Sequence, residues 1–595
     1  MKLRLIARNL GLLMLVLCGC MAAATAAELV GFGPHEGANE PVAEAFGAGL
    51  LTSLGLGGGL LFLGRRTPGE REARAAAKRR GERWAGPQLT RRDALAMVAA
   101  GWVLGAGVAA LPFFSWAWLH PVGAVAEAAG PVASAASGAD GAAAETGPAL
   151  EEVTDPPPAG PESPGSPGAA SGEAAPASRR PVAGFDHPFR GFAACYFEAM
   201  SGMTTTGASV LGTAPHDIES LPAGLLLWRS LIQWLGGLGI VVLFVAVLPL
   251  LGVGGKTLIR FEATGPVKQG VKPRISDAAR GLWFVYLGLS AACCALLLWP
   301  GGMSLFDAVN HTLTTMATGG FSTRNASAGA YDSVAVDAVL VVFMALAGVS
   351  FGLHHQALRG RWWVVCRDAE LRAYVGIIAA ATLVIAAFLV GTELTLTTGQ
   401  TREAGVFESL RQALFQVVSV MTTTGFATAD FDRWGFVPGF VLVLVMFVGG
   451  CAGSTGGGIK VVRVVTLWKV FAAELERVYR PTVVRAVRIG GAPLTDEVRQ
   501  GVMVFTLTMI GLFVLGAVAL RVLEPEALDV TSAATASAAT LLNIGPGLGA
   551  VGPVNNFGFF GADSLLVMSL LMALGRLEVF ALLVVLTPRF WRDAG

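Results

Sequence analysis

Ten apolar runs, each near the ~20 residues that a helix needs to cross a hydrocarbon layer, constrain this chain before any other feature does. They lie at Leu3 to Ala27, Val42 to Leu63, Ala94 to Leu119, Leu221 to Leu251, Gly281 to Trp299, Val334 to Leu353, Leu371 to Val390, Phe436 to Gly450, Val498 to Val522 and Leu565 to Leu586. Of the 595 residues 53% are hydrophobic and only 14% charged, where a soluble domain carries roughly a quarter charged. A polytopic, all-α membrane protein is expected, because a segment surrounded by lipid must satisfy its own backbone amides and carbonyls.

The formal net charge of +1 conceals an asymmetry between loops. With the amino terminus inside, the inner segments hold 33 of the 43 Lys and Arg residues: Lys2 to Arg8, Arg65 to Arg92, Lys256 to Arg280, Arg359 to Arg372, Lys460 to Arg499, and Arg589 with Arg592. Such a bias predicts an even number of crossings with both termini cytoplasmic, and ten spans satisfy it. The block Arg65 to Arg92 lies between two spans, so it reads as a positive-inside loop and no nucleic-acid partner is expected. Seven cysteines without a Cys-x-x-Cys pair argue against a zinc site or a disulfide framework. The basic start, apolar core and Ala22 to Ala27 also fit a cleavable leader, which would leave the downstream orientation unchanged.

Between the apolar runs a short phrase recurs: Met203-Thr-Thr-Thr-Gly207, Met316-Ala-Thr-Gly-Gly320, Met421-Thr-Thr-Thr-Gly425 and the degenerate Leu541-Leu-Asn-Ile-Gly545. Its glycines are 113, 105 and 120 residues apart. Before each phrase stands a short amphipathic segment: Asp186 to Ala199, Ser304 to Thr315, Val406 to Val420 and Asp529 to Thr540. Twelve residues cover about 18 Å, enough to enter a membrane halfway and not to cross it, so these are expected to be re-entrant pore helices. Their polar residues Glu198, His311, Gln416 and Ser537 then face protein; His311 reads first as a packing residue.

This predicts a two-helix leader and basic loop over 1–90 and four pore units at 91–255, 256–365, 366–490 and 491–595. The Ala/Pro/Gly/Ser/Glu-rich stretch 121–183 reads as a disordered outer loop. Half-helices ending at mid-membrane turn their negative dipole ends and free carbonyls toward the centre, and a glycine-ended turn then supplies backbone oxygens to a dehydrated cation. Counting back from the glycines, the ligand-bearing positions are Thr205 and Thr206, Thr318 and Gly319, Thr423 and Thr424, and Asn543 and Ile544, with Gly207, Gly320, Gly425 and Gly545 closing the turns. The absence of an acidic ring disfavours calcium and favours a monovalent cation.

The eighth run is broken by Gly449, Gly450, Cys451, Ala452, Gly453, Ser454, Thr455, Gly456, Gly457 and Gly458. Unwound backbone at membrane depth is tolerated only in a cavity or inside protein, so this loop is a candidate gate. A phosphate loop and a helix-packing kink are the competing readings. Arg576, in the last run, is an intramembrane charge that would repel ions or hold the loop's carbonyls, or else pair locally with Glu578. Arg229 reads as a snorkelling interface residue. No nucleophile and base stand together, so an enzyme is not expected. An ion-coupled secondary transporter with a midplane site, and a non-conducting sensor or scaffold, remain as alternatives to a pore.

Seven stretches carry a resemblance: Ser201-Gly-Met-Thr-Thr-Thr-Gly207, Trp228-Arg-Ser-Leu-Ile-Gln-Trp-Leu-Gly-Gly237, Thr318-Gly-Gly-Phe-Ser-Thr323, Thr422-Thr-Thr-Gly-Phe-Ala-Thr428, Ser454-Thr-Gly-Gly-Gly-Ile-Lys460, Asn543-Ile-Gly-Pro-Gly547 and Gly575-Arg-Leu-Glu578. In them the chain resembles the Trk/Ktr/HKT superfamily of potassium-uptake proteins, most closely the TrkH type. The resemblance implies four pseudo-symmetric units around one gated pore in the bacterial inner membrane, a homodimer, and potassium selected at Gly207, Gly320, Gly425 and Gly545 as the substrate ion. It also implies that Gly449 to Gly458 gates, that Arg576 lies beneath the filter, and that the leader is the extra helix pair of TrkH-type proteins. Regulation would come from a TrkA-type cytoplasmic ring subunit that binds the nucleotide, for which the basic inner stretch Lys460 to Arg499 is a candidate dock, contact with lipid headgroups alone being the other reading; no cofactor is expected in this chain.

Overall fold

The computed structural model describes residues 2–33, 39–65, 70, 72, 79, 90–119, 187–212, 216–246, 275–481, 487–490 and 492–592. The expected outer loop at 121–183 and most of the basic groups Arg65 to Arg92 and Lys256 to Arg280 lie outside these residues.

Each apolar run coincides with a helix or a broken helix pair, and the two small antiparallel strand pairs Glu393–Thr395 with Thr401–Glu403 and Arg488–Ile489 with Ala492–Pro493 lie in loops. The leader helices α1 (Leu3–Leu29) and α2 (Asn39–Leu63) pack together, with the Ser53 hydroxyl donating to the Met14 carbonyl at 2.7 Å. The next span, α3 (Arg91–Ala109) continued by α4 (Leu111–Leu119), starts at a reciprocal cap in which the Thr90 hydroxyl accepts from the Asp93 amide and the Asp93 carboxylate from the Thr90 amide.

Four units follow. The first pairs a short helix α5 (Phe192–Met203) with α6 (Ala223–Ala246). The second has α7 (Ile275–Leu298), the short α8 (Leu305–Ala317) and α9 (Val334–Ala347), which continues as α10 (Phe351–Leu358) after a bend of 100°. The third has α11 (Ala369–Leu389), the short α12 (Val406–Met421), α13 (Phe436–Met446) and α14 (Val461–Tyr479). The fourth has α15 (Asp496–Leu523), the short α16 (Val530–Leu541) and α17 (Ala562–Arg576), which bends by 120° into α18 (Phe580–Leu586).

Six helices among the described residues are long and apolar enough to cross a membrane, and the two bent pairs qualify only as pairs. The sixth and tenth runs are therefore broken rather than straight. The first break admits the glycine-rich loop, whose Cys451 amide donates to the Gly348 carbonyl while the Phe351 amide donates to the Gly453 carbonyl. The second is made by Glu578 and Val579, both with positive φ. The short helices have 12, 13, 16 and 12 residues, and their last two turns are buried except for the partly buried Leu313. Side-chain caps start two of them: Ser304 accepts from the Asp307 amide at 3.1 Å and Asp529 from the Ser532 amide at 2.8 Å.

Arg229 departs from its expected role at the interface. It is 1% exposed and pairs at 2.8 Å with Glu198, itself fully buried on α5. The guanidinium also donates to Ser209 Oγ and to the Ser322 carbonyl and lies 4.1 Å from the Phe321 ring centroid. It joins the chain just after the first phrase to the chain just after the second, and the carboxylate's other oxygen accepts from the Val210 amide at 3.1 Å. Removing one partner leaves the other charge buried without its counter-ion. Arg229→Met is expected to destabilise by about 3–5 kcal/mol, and the double substitution with Glu198→Leu by distinctly less, as read from thermal unfolding in detergent.

Candidate ion filter and the loop beneath it

The four short helices end in one and the same turn. The amides of Thr206, Gly319, Thr424 and Ile544 each donate at 2.8 Å to the carbonyl five residues back, on Ser201, Thr314, Ser419 and Ala539. The residue before each, Thr205, Thr318, Thr423 and Asn543, is left-handed with φ of 54°, 55°, 58° and 58°. This is a Schellman closure, which disposes of helix-end carbonyls that no water can reach. Asparagine tolerates the left-handed region, whereas a β-branched threonine there is strained by roughly 1–3 kcal/mol. Three such threonines persist because every side chain of the turns is buried against a neighbour.

Positive φ returns at Gly207 (84°), Gly320 (75°), Gly425 (83°) and Gly545 (103°), while the intervening residue does not have it. Alternating hand turns successive carbonyls toward the same side, instead of to opposite sides as in a strand of uniform hand. The glycines also mesh in a closed circuit. A Cβ on Gly207 would lie 2.2 Å from the Gly319 oxygen, one on Gly320 1.9 Å from the Thr424 oxygen, one on Gly425 2.0 Å from the Ile544 oxygen, and one on Gly545 2.9 Å from the Thr206 oxygen. Each glycine thus abuts the carbonyl that precedes the glycine of the next unit, and the fourth unit closes on the first. All four line one cavity of about 90 Å³, together with Arg229, Arg324 and Asn555.

No carboxylate belongs to this ring: its polar side chains are threonine hydroxyls and the Asn543 amide, beside the backbone oxygens. Each helix C-terminus carries roughly half a negative elementary charge, so four together present about two. A neutral ring of dipoles suits a dehydrated monovalent cation.

Behind the ring lies the chain from Phe447 to Lys460 between α13 and α14, long enough to be a loop of its own and not a kink. Its backbone is spoken for. Gly449 donates to the Ile459 carbonyl, Thr455 to Ala347 and Gly457 to the Thr423 hydroxyl at 2.6 Å, so these amides are not free to cradle a phosphate. The Thr455 hydroxyl donates to the Met316 carbonyl at 3.1 Å, while Gly456 and Gly457 abut the Thr422 and Leu542 carbonyls; a Cβ would lie 3.0 Å and 2.5 Å from them. Gly450, Gly453, Ser454 and Gly458 complete the stretch. Arg576 ties it to the first unit by donating to the Thr455 carbonyl at 2.7 Å and to the Gly236 carbonyl at 3.2 Å. The local Arg576 to Glu578 pair does not form: Glu578 pairs with Arg463 at 2.5 Å.

At this site the reading of the sequence missed two residues, Glu370 and Gln233, and gave a third, Lys460, another place. Lys460 is 4% exposed and donates to the Gly456 carbonyl, so it is no part of a docking surface. Glu370 accepts from the Ala452 amide at 2.8 Å and the Val462 amide at 3.0 Å, clasping both ends of the loop. Gln233 on α6 reaches the Gly319 carbonyl. For Gln233 the available signal was an amide side chain within an apolar run; Glu370 and Lys460 stand outside the runs Leu371 to Val390 and Phe436 to Gly450 and carried no such signal. His311, for which packing was the first reading, donates from Nδ1 to the Asp307 carbonyl at 2.8 Å, lies with Nε2 3.0 Å from Ser322 Oγ, and touches no carbonyl of the ring.

A family model described as TrkH, cation transport protein, matches residues 183–592. The chain is 40% identical over 407 residues to the Trk system potassium uptake protein TrkH of Escherichia coli (strain K12), covering 67% of this chain and 79% of that protein. It is 37% identical over 404 residues to the Trk system potassium uptake protein TrkI of Halomonas elongata, covering 67% and 77%. The crystal structure of the potassium transporter TrkH from Vibrio parahaemolyticus matches with a TM-score of 0.73 at 29% identity over the whole of both chains.

The clasp by Glu370 has a measurable consequence. A charge-assisted hydrogen bond contributes about 1.5–3 kcal/mol. Glu370→Ala is therefore expected to speed amide exchange at Ala452 and Val462 by at least about tenfold in hydrogen–deuterium exchange, with exchange in α11 itself little changed.

Proposed function

Because this chain belongs to the TrkH family of cation transport proteins, we propose that it takes up potassium through the passage enclosed by its four units, with the ring at Gly207, Gly320, Gly425 and Gly545 as the filter. The carrying observation is the closed circuit in which each glycine abuts the carbonyl of the next unit. A potassium ion gives up its water only where several oxygens stand ready at once, and the backbone oxygens of Thr205, Thr206, Thr318, Gly319, Thr423, Thr424, Asn543 and Ile544 are the ones this ring offers. The loop from Gly449 to Gly458 is the gate, since it lies against the carbonyl ends of three short helices and is held to the first unit by Arg576. A buried guanidinium below the ring repels a cation while it stays, and its two hydrogen bonds hold the loop across the path.

In this reading the protein sits in the bacterial inner membrane with both termini cytoplasmic, in line with the 33 basic residues of the inner segments. It works as a homodimer and is opened by a separate nucleotide-binding ring of the TrkA type. Among the described residues, the exposed Arg477, Arg480 and Arg488 belong to the basic face offered to such a partner.

Rubidium uptake into liposomes holding the purified protein, with and without the ring partner, tests the reading. Uptake that needs no imposed sodium or proton gradient is expected; an absolute requirement for one would make the protein a coupled transporter instead. Gly207→Ser places a side chain where φ is +84° and the Gly319 oxygen blocks a Cβ, so the rubidium-over-sodium preference should drop roughly tenfold or more. Arg576→Ala should raise uptake in the absence of the partner several-fold, and lower uptake from folded protein would remove it from the gate.

A further inference from the structure

The second phrase, Met-Ala-Thr-Gly-Gly, lacks what braces the first and the third. There the phrase is locked by its own hydroxyls. Thr204 and Thr206 Oγ1 lie 2.8 Å apart, Thr422 and Thr424 Oγ1 lie 2.7 Å apart, and Thr204 and Thr422 each donate at 2.7 Å to the helix carbonyl four residues back. In the second unit Ala317 and Gly319 occupy those two places, so neither hydroxyl exists.

The space is taken by a residue of another unit. Gln233, fully buried on α6, donates from Nε2 to the Gly319 carbonyl at 2.6 Å and accepts at Oε1 from the Phe321 amide at 3.2 Å. The two backbone partners fix which end of the amide is which, since the carbonyl needs a donor and the N–H an acceptor. A Cβ on Gly319 would lie 2.4 Å from Gln233 Cδ, so Gln233 and a threonine at that position exclude each other. The oxygen that Gln233 holds is the same one that Gly207 abuts across the ring. Among the described residues no side chain donates to the matching carbonyls of Thr206, Thr424 or Ile544.

We propose that Gln233 is a positioning residue for ion selectivity. From the first unit it pins the second unit's filter carbonyl at the radius that suits a dehydrated potassium ion, replacing the paired hydroxyls of units one and three. The proposal rests on the ring being a potassium filter. A donor on the outer lone pair leaves the other for the ion and removes the freedom by which the carbonyl would close around a smaller cation.

The test uses full-length protein in liposomes, with rubidium uptake measured against sodium competition, and wild type in parallel. Gln233→Met removes both hydrogen bonds at similar volume; the rubidium-over-sodium preference is expected to fall about tenfold while uptake persists. Adding Ala317→Thr and Gly319→Thr to Gln233→Ala, which vacates the space and restores the hydroxyl pair of units one and three, should recover most of the preference. Unchanged preference in folded Gln233→Met overturns the assignment, and so does a loss that the triple substitution leaves uncorrected. If wild type takes up no rubidium, the permeation reading fails separately. The role of Gln233 is then decided by thermal protection in detergent: protection by potassium over sodium should shrink in Gln233→Glu, which keeps the acceptor for Phe321 and loses the donor. Undiminished protection overturns the proposal, and this second variant also serves if Gln233→Met does not fold.

Discussion

A helix that stops halfway across a membrane leaves its last carbonyls where neither water nor a further turn can satisfy them, and most of this structure answers that problem. The four short helices meet it identically, by closing on themselves through a left-handed residue and a 2.8 Å bond from the next amide. Closure spends the carbonyl five residues back and leaves those of the turn itself pointing inward. What would be a liability in an isolated segment becomes, in the function proposed above, a ligand set when four ends converge, because a cation would satisfy them jointly.

The convergence is only pseudo-symmetric, and the departures have causes. Units one and three are braced by hydroxyl pairs, unit two by Gln233, and unit four by Asn543, whose amide donates at 3.0 Å to both Thr206 Oγ1 and the Met572 carbonyl. Close approach is what permits this: α6 and α17 carry glycines where a Cβ would lie 1.9 Å from the Met203 oxygen and 1.8 Å from the Leu541 oxygen, at Gly236 and Gly575. The buried Glu198 and Arg229 pair then ties the outflow of the first phrase to that of the second. Strain in the three left-handed threonines is tolerable because so many partners over-determine them.

Ring and loop are not separate devices. Thr423 holds the left-handed place in its turn, and its hydroxyl accepts from Gly457 of the loop. Thr455 reaches the end of α8, and Arg576 reaches Gly236 beside the end of α5. Movement of the loop therefore removes support from the back of the ring. Glu370, a half-buried carboxylate, and Lys460, a buried ammonium of the same third unit, hold the loop's two ends and its crest respectively.

Much of this was legible in the sequence. Apolar length identified the helices, and the recurrence of a glycine after each short segment set the register, with Gly320 rather than Gly319 as the counterpart of Gly207; the same register brings the four positive-φ glycines together. These features are local, since span length, half-helix length and the need for a glycine follow from a few neighbouring residues and the thickness of the bilayer. The bends after Ala347 and Arg576, the Arg229 pairing with Glu198, the clasp by Glu370 and the reach of Gln233 to Gly319 were decided only by tertiary structure. A buried polar side chain has to find a partner, but which one depends on the face its helix presents and on what is packed there. For Gln233 and Gly319 that partner lies 86 residues away along the chain, beyond any local periodicity.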